Sequence, residues 1–374
     1  MSVAFDTIKR EELLEILSTI IGDDELRMIR LLLSNTTLDV KMNGVETTKF
    51  QSNIGSPQGD GISGVLFNIY LEPSLRLLRD KVDARDTRFE HSYAIIPRPM
   101  LPEEAVYADD TDFINEDEAR RNVVVEIAAE TLLTSNLQVN DDKTEHTVIE
   151  RGDRNTERWR YVKKVGSLIG DAEDIANRKQ LAIVAMIQMM KVWIRKDHIS
   201  ESRRLGLYGS LVKSILTYNC GTWAMTKREE ERIDAFHRGQ LRRVIGKKWP
   251  HRISNKNLYK RCAERPVSLF ITRSRWKLFG HILRADPRIP AYRAMLYYFE
   301  RSNKKHFRGH PRCTIVTTLD EDIKRTAAKV NTFPLRQLKN IDDLNFIGTI
   351  AQDRIAWRTI INDIYCVAKA EKSM

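Results

Sequence analysis

Apolar residues recur at three- and four-residue steps over residues 8–34, at Leu13, Leu14, Ile16 and Leu17 and again at Met28, Ile29, Leu31 and Leu32. That period predicts helix, with a break and a fresh start where Asp23 and Asp24 follow Gly22. The pattern then changes. Residues 38–42 and 45–50 flank Asn43-Gly44, a pair that tolerates positive φ at both turn positions, so a β-hairpin is expected there. GSPQGDG (55–61) packs three glycines and a proline into seven residues, and Ile62, Val65, Leu66, Ile69 and Tyr70 follow at helical spacing. This predicts a loop that feeds a helix ending at Pro73. Residues 80–102, polar and proline-bearing, read as a surface excursion. Residues 105–114 predict strand, tight turn and strand, with Asp109-Asp110 in the turn. A helix is expected over 118–136 and short strands over 137–150 and 160–170, so residues 1–170 alternate in an α+β manner. Beyond about residue 178 strands thin out: 179–196, 202–219, 228–245 and 267–284 are helical by period, with no internal repeat or low-complexity tract.

Composition narrows the class. A chain of 374 residues carries a prior of two domains, and 42% hydrophobic with 30% charged residues excludes collagen-like and disordered chains. Cys220, Cys262, Cys313 and Cys366 form no CxxC pair, which predicts reduced thiols in an intracellular protein. His310 and Cys313 make a ligand-like pair with nothing nearby to complete four zinc ligands. The start, MSVAFDTIKR, has no apolar signal core, and the most apolar stretch, LAIVAMIQMM (181–190), is short of the roughly 20 residues of a spanning helix. No membrane partner is expected, and the location is expected to be intracellular, nuclear or cytoplasmic.

Charge adds a partner. Residues 1–150 hold 15 Lys and Arg against 29 Asp and Glu, and residues 151–374 hold 47 against 22, so the halves carry −14 and +25. A sustained basic surface is the footprint of a polyanion, with nucleic acid foremost. In the acidic half, Asp109 and Asp110 stand side by side, flanked by Val106, Tyr107, Phe113 and Ile114. Adjacent carboxylates repel and raise one another's pKa unless a cation intervenes. A pair of Mg²⁺ ions about 4 Å apart clamps the attacking and leaving oxygens of a phosphoryl displacement, so the local reading is metal-assisted phosphoryl transfer.

Tyr107-Ala108-Asp109-Asp110, following GSPQGDGISGVLFNIYLE (55–72) in that order, resembles the YADD and preceding motifs of reverse transcriptases, more narrowly those of non-LTR (LINE-like) retrotransposons. The resemblance implies a palm of mixed helices and antiparallel sheet, with Asp109 and Asp110 as catalytic Mg²⁺ ligands. It places Pro57, Gln58 and Gly59, with Tyr107 and Ala108, against the template base and incoming deoxynucleoside triphosphate. LQVNDDKTE (137–145) is similar to the next motif, which gives Lys143 the role of proton donor or charge stabiliser at the leaving pyrophosphate. VKKVGSLIG (162–170) resembles the primer-grip hairpin, with Val165, Gly166 and Gly170 at its bends. Gly64 stands where many relatives have proline.

AFDTI (4–8) resembles the end of the first catalytic motif, whose leading aspartate would fall one position before Met1. The expectation is therefore an N-terminally truncated fragment without fingers or the third metal carboxylate, and inactive. Phe5 takes the place of the residue that screens the ribose 2′ position, while Asp6 matches a structural aspartate.

The implied organisation is a partial palm over 1–170, a helical thumb-like nucleic-acid-binding region over 171–300 and a C-terminal helical tail over 301–374. Arg242, Arg243, Lys247 and Lys248 beside Trp249, and Arg273, Arg275 and Lys277 around Trp276 and Phe279, interleave cations with aromatics in a way that suits phosphate contact. Trp276 and Phe279 are at helical spacing and are expected in the core. The partners implied are an RNA template and a DNA primer. Two other readings stay open: a non-catalytic nucleic-acid-binding relic or co-opted palm and thumb, and a protein like group II intron maturases.

Overall fold

The computed structural model describes residues 4–38, 41–42, 45–46, 49–56, 61–85, 104–108, 110–115, 118–149, 157–194, 198–247, 249–302 and 313–373. Residues 1–146 and 147–374 form two compact units.

The first unit opens with a short 3-10 turn (Ala4–Asp6), α1 (Arg10–Ser18) and α2 (Asp23–Leu33), which starts after Gly22 with three acids in its first turn, where they favour the helix dipole. Four two-residue strands follow: β1 (Thr37–Leu38), β2 (Lys41–Met42), β3 (Val45–Glu46) and β4 (Phe50–Gln51). Met42 faces Val45 across the inner pair and Leu38 faces Phe50 across the outer, the expected hairpin, although Asn43 and Gly44 lie outside the described residues.

Helix α3 (Ser63–Arg85) runs past Pro73, against the expectation that it would stop there. Proline removes one backbone bond, but Leu71, Ser74, Leu75, Leu78 and Val82 continue the buried face for three more turns, and that burial outweighs the lost bond. The expected excursion over 80–102 is thus helix to residue 85; residues 86–103 lie outside the described set. The hairpin of β5 (Glu104–Tyr107) and β6 (Asp110–Phe113) forms where expected, and α4 (Glu118–Thr134) packs Val124, Ile127 and Ala128 with Leu78 and Val82 of α3.

The described residues 137–149 do not form the expected strand. Asn136, at φ +57, turns the chain out of α4; Leu137 N–H returns to Leu132 O, and Asn140 caps a 3-10 turn at Asp141–Lys143 with its own side chain. The Asn140 side chain bonds the local backbone here, in competition with a ladder.

The second unit begins with a hairpin, β7 (Lys163–Lys164) and β8 (Ser167–Leu168), and is otherwise helical. Its helices are α5 (Asp171–Gln188), α6 (Met190–Ile194), α7 (Glu201–Leu207), a π segment (Tyr208–Lys213) and α8 (Ser214–Leu216). Then come α9 (Lys227–Val244), opened by a capping box between Thr226 and Glu229, α10 (Asn255–Cys262), α11 (Val267–Arg284) and α12 (Pro290–Ser302). Finally α13 (Ile315–Ala327), α14 (Ile341–Gln352) and α15 (Arg354–Ser373) share one core with α11, built on Trp276, Phe279, Ile323, Leu344 and Trp357. Trp276 and Phe279 are thus core residues, as their spacing implied. A second core joins α5, α9, α10 and Trp223. The fold is mostly helical with small antiparallel sheets, compatible with α+β. No helix among the described residues is long and apolar enough to cross a membrane.

Candidate functional site

Three separate segments meet at residues 5–8. Gly55 N–H donates to Ile8 O and Ser56 N–H to Phe5 O, both at 2.8 Å, so the loop that leads to residues 57–59 lies along the first segment. Gly55 sits at φ +78, and a Cβ there would meet Asp6 Cα at 2.9 Å, so both conformation and space require glycine. The third segment joins through Asn136, whose side-chain amide donates to Thr7 O at 3.0 Å. Ile8, Leu66, Phe67, Tyr70 and Leu137 form a common core beneath, with Phe5, Phe113 and Val139 packed on it. Each motif found in the first 146 residues is thereby attached to one apolar centre.

Arg10, which the sequence reading passed over, holds the loop in place. It is buried and donates to Gly55 O (2.8 Å), Leu33 O (2.5 Å), Ser52 O (2.7 Å), Ile54 O (3.2 Å) and Thr36 Oγ1 (3.2 Å). Burial lowers its pKa from the ordinary guanidinium value. A fork of donors matched to a ring of carbonyls is what arginine supplies and lysine does not. Ser56 Oγ donates to Ser63 Oγ at 2.6 Å, tying the loop's entry to the first residue of α3. Pro57, Gln58 and Gly59 themselves lie outside the described residues.

The acidic turn stands at the end of β5–β6. Tyr107 pairs with Asp110 and closes a two-residue turn; Ala108 adopts φ +53, and Asp109 lies outside the described residues. By the register and the alternation of strands, Tyr107, Asp110 and Asp112 share one face, and Thr111 and Phe113 the other. Phe113 is packed in the core, while Asp110 is exposed and Tyr107 is 65% exposed. Arg79 of α3 pairs with Glu104 at 3.0 Å, anchoring the far end of β5. The donor chemistry fits a hard cation, since carboxylate oxygens are what Mg²⁺ takes; Asp110, with Asp109, would hold it.

Lys143 is exposed on its 3-10 turn and forms no ion pair with a described residue. Phe5 is half-buried, its ring 4.8 Å from that of Phe67.

In the second unit, Val165 (φ +46) and Gly166 (φ +81) make the turn between β7 and β8, and both positive φ values give the hairpin type that follows the strand twist. This turn is braced from outside. Arg178 of α5 donates to Gly166 O and to Ser167 Oγ, and its guanidinium lies 4.3 Å over the Tyr218 ring. Tyr218 Oη donates to Val165 O at 3.0 Å. Asp174 accepts from Leu168 N–H and from Trp223 Nε1, each at 2.9 Å. Gly170 has no room for a side chain, since a Cβ would meet Arg160 Cβ at 2.8 Å. Val165 remains 47% exposed at the tip. Asp171 opens α5 and accepts from Ala224 N–H, yet burial pushes its carboxyl up to about 6.

Among the expected phosphate contacts, Arg275 is corrected. It is 1% exposed, donates to Trp223 O at 3.2 Å and lies 3.6 Å from Asp322, so it is an interior residue out of a phosphate's reach. It falls on α11's buried face with Trp276, which its helical phase relative to Ile271 and Phe279 already implied. Arg273 and Lys277 are exposed on the opposite side. Arg242 donates to Asn255 Oδ1 at 2.7 Å, Arg243 is exposed, Lys247 is half-buried and Lys248 lies outside the described residues; Trp249 beside them is 82% exposed. His237 is fully buried with Nδ1 2.7 Å from Tyr208 Oη. Burial pulls its pKa down to about 4.

Residues 1–181 match the family described as reverse transcriptase (RNA-dependent DNA polymerase), a stretch that covers the whole first unit and runs into α5. No curated protein matches the chain. The order of motifs, their convergence on one core and this match agree: residues 1–181 are a reverse transcriptase domain.

Proposed function

We propose that this domain serves RNA-directed DNA synthesis of the non-LTR retrotransposon type, with Asp109 and Asp110 as the carboxylates of the nucleotidyl-transfer site. The observation that carries it is the hairpin that presents Asp110 outward at its tip while Phe113 fixes its base in the core. Bound Mg²⁺ would supply neutralisation of the phosphates and activation of the primer 3′-hydroxyl. The chain's own part is positional. The loop held by Arg10 sets residues 57–59 for template and nucleotide, Phe5 guards the sugar, Lys143 meets the departing pyrophosphate, and the β7–β8 turn steadies the primer. Functionally, 1–170 acts as palm, 171–300 as a thumb-like nucleic-acid-binding region and 301–374 as its C-terminal support.

No carboxylate of the polypeptide 1–374 aligns with the leading aspartate of the family's first motif, so this polypeptide by itself is expected to extend primers at background level. The test uses Mn²⁺ as a paramagnetic stand-in, read by NMR, alongside extension of an oligo(dT) primer on a poly(rA) template. Broadening confined to residues around 106–112 and lost in D109N/D110N supports the site; its absence there removes it. Extension above background that disappears in D109N overturns the expectation of inactivity.

The charge of +25 over residues 151–374 favours a second reading, nucleic-acid binding without synthesis. Hybrid binding with no Mn²⁺ effect at the turn would select it.

A further inference from the structure

Helix α11 contains no acidic residue over its 18 positions. Its buried face carries Arg275, Trp276 and Phe279; Phe270, Arg273, Lys277 and His281 are exposed on the other, spaced by three or four residues. Helix α15 lies antiparallel against it. At Gly280 the helices pack closely: a Cβ there would collide with the indole of Trp357, whose Nε1 donates to Trp276 O at 3.2 Å. At one end of this seam Arg284 neighbours Arg354; burial, then this like charge, lowers the Arg284 pKa. At the other end the Tyr365 ring lies 5.7 Å from the Arg265 guanidinium and 6.0 Å from that of Arg273, and Arg265 also bonds the Tyr365 hydroxyl.

Six cations therefore border one seam: Arg265, Arg273, Lys277 and Arg284 on the α11 side, Arg354 and Arg358 on α15. None forms an ion pair with a described residue. Some other cations of the same unit have acidic partners: Lys213 with Glu264, Arg261 with Glu201, Arg288 with Asp286, Lys329 with Glu371 and Lys372 with Asp234. The two acids of α15 are both turned elsewhere. Glu371 is engaged by Lys329 and Arg325, and Asp363 lies about 200° around the helix from Tyr365. Unmatched cations along one line repel each other, a cost that a bound polyanion relieves.

We infer that the α11–α15 seam is a binding track for the phosphodiester backbone of a nucleic-acid duplex, separate from the acidic turn of the first unit. Helix α11 is about 27 Å long at 1.5 Å per residue, which spans about eight base pairs at two charges per 3.4 Å. Five of the six cations are arginines, suited to bidentate phosphate contact. The Tyr365 ring is engaged by two guanidiniums, so the seam reads charge rather than stacked bases. The choice of nucleic acid over another polyanion rests on the reverse transcriptase domain in the same chain.

The test is fluorescence anisotropy of the full 374-residue chain with a labelled 20-base-pair RNA–DNA hybrid, from 50 to 200 mM salt. In R273Q/K277Q/R358Q, affinity should fall about tenfold or more at low salt, and the slope of log K against log salt should flatten by about 2 to 3. These side chains are exposed, so the thermal midpoint should not move, and R288Q, which removes a paired cation, should bind like the parent. Unchanged affinity and slope in the triple variant, or an equal loss in R288Q, overturns the track. Binding to phosphatidylserine vesicles but not to the hybrid overturns it in favour of a lipid surface. Seam-dependent hybrid binding without any Mn²⁺ effect at the YADD turn supports the track and removes only the polymerase reading.

Discussion

Two hairpins, each closed by a two-residue turn, are supported in opposite ways. Each puts a residue other than glycine at positive φ in the first turn position, Ala108 at +53 and Val165 at +46. The acidic hairpin is anchored at its base, by Phe113 in the core and Arg79 on Glu104, and its tip is left to solvent. The second is gripped at the tip itself, where Tyr218 and Arg178 take both turn carbonyls. Under the proposed function, the open tip leaves room for metal and nucleotide, and the braced turn gains rigidity with which to present backbone to a strand. The difference suggests that the two turns divide the work, one supplying chemistry and the other position.

The largest break in this contrast should come from Arg10, which anchors the loop beside the first site. Arg10→Ala leaves four carbonyls without their donor, and a loss of about 3 to 5 kcal/mol is expected from chemical denaturation. Hydrogen exchange should accelerate at residues 52–56 and leave 164–168 as they were. Arg178→Ala is the mirror experiment: a loss of about 2 to 3 kcal/mol, with faster exchange at 164–168 and none of it at 104–113.

A third test uses pH. Asp171, in the first turn of the helix that follows the braced hairpin, keeps its proton up to about 6 when folded, against an ordinary value of 3.8. The folded state therefore binds the extra proton between about 4 and 6. Stability falls as pH rises through that window and is flat above it. Asp171→Asn should stabilise the protein at pH 7.5 by up to about 2 to 3 kcal/mol, and the gain should vanish by pH 4. A gain that stays constant with pH would show that burial does not govern this carboxyl.

The smallest effect expected is at the turns. Val165→Gly relieves a β-branched residue at positive φ and should add about 1 kcal/mol, more than Ala108→Gly. A thermal midpoint that falls in Val165→Gly would mean that the exposed valine makes contacts worth more than its strain.

Much of this was legible in the chain. The acidic hairpin, the Asn-Gly hairpin, the break at Gly22 and the helices of the second unit follow from period and turn chemistry. What was not legible depends on long-range packing. Pro73 looks like a stop until the apolar face beyond it finds α4, and Arg10 looks like one more surface cation until four carbonyls surround it. Arg275 shows a different limit: read as part of a basic run it suggests phosphate, and read by helical phase with Trp276 it belongs inside.

Helix α5 carries a practical consequence for anyone dissecting this chain. The family match ends at residue 181, inside that helix. Yet Tyr218, Asn219 and Trp223, which brace the β7–β8 turn and Asp174, lie 37 or more residues further on, and Ala182, Ala185 and Met186 complete the helix's apolar side against Trp223 and Ile233. A fragment trimmed to the recognised domain would keep the hairpin's sequence and lose its shape, exposing a greasy stripe that invites aggregation. The border of ancestry and the border of autonomous folding fall at different residues here.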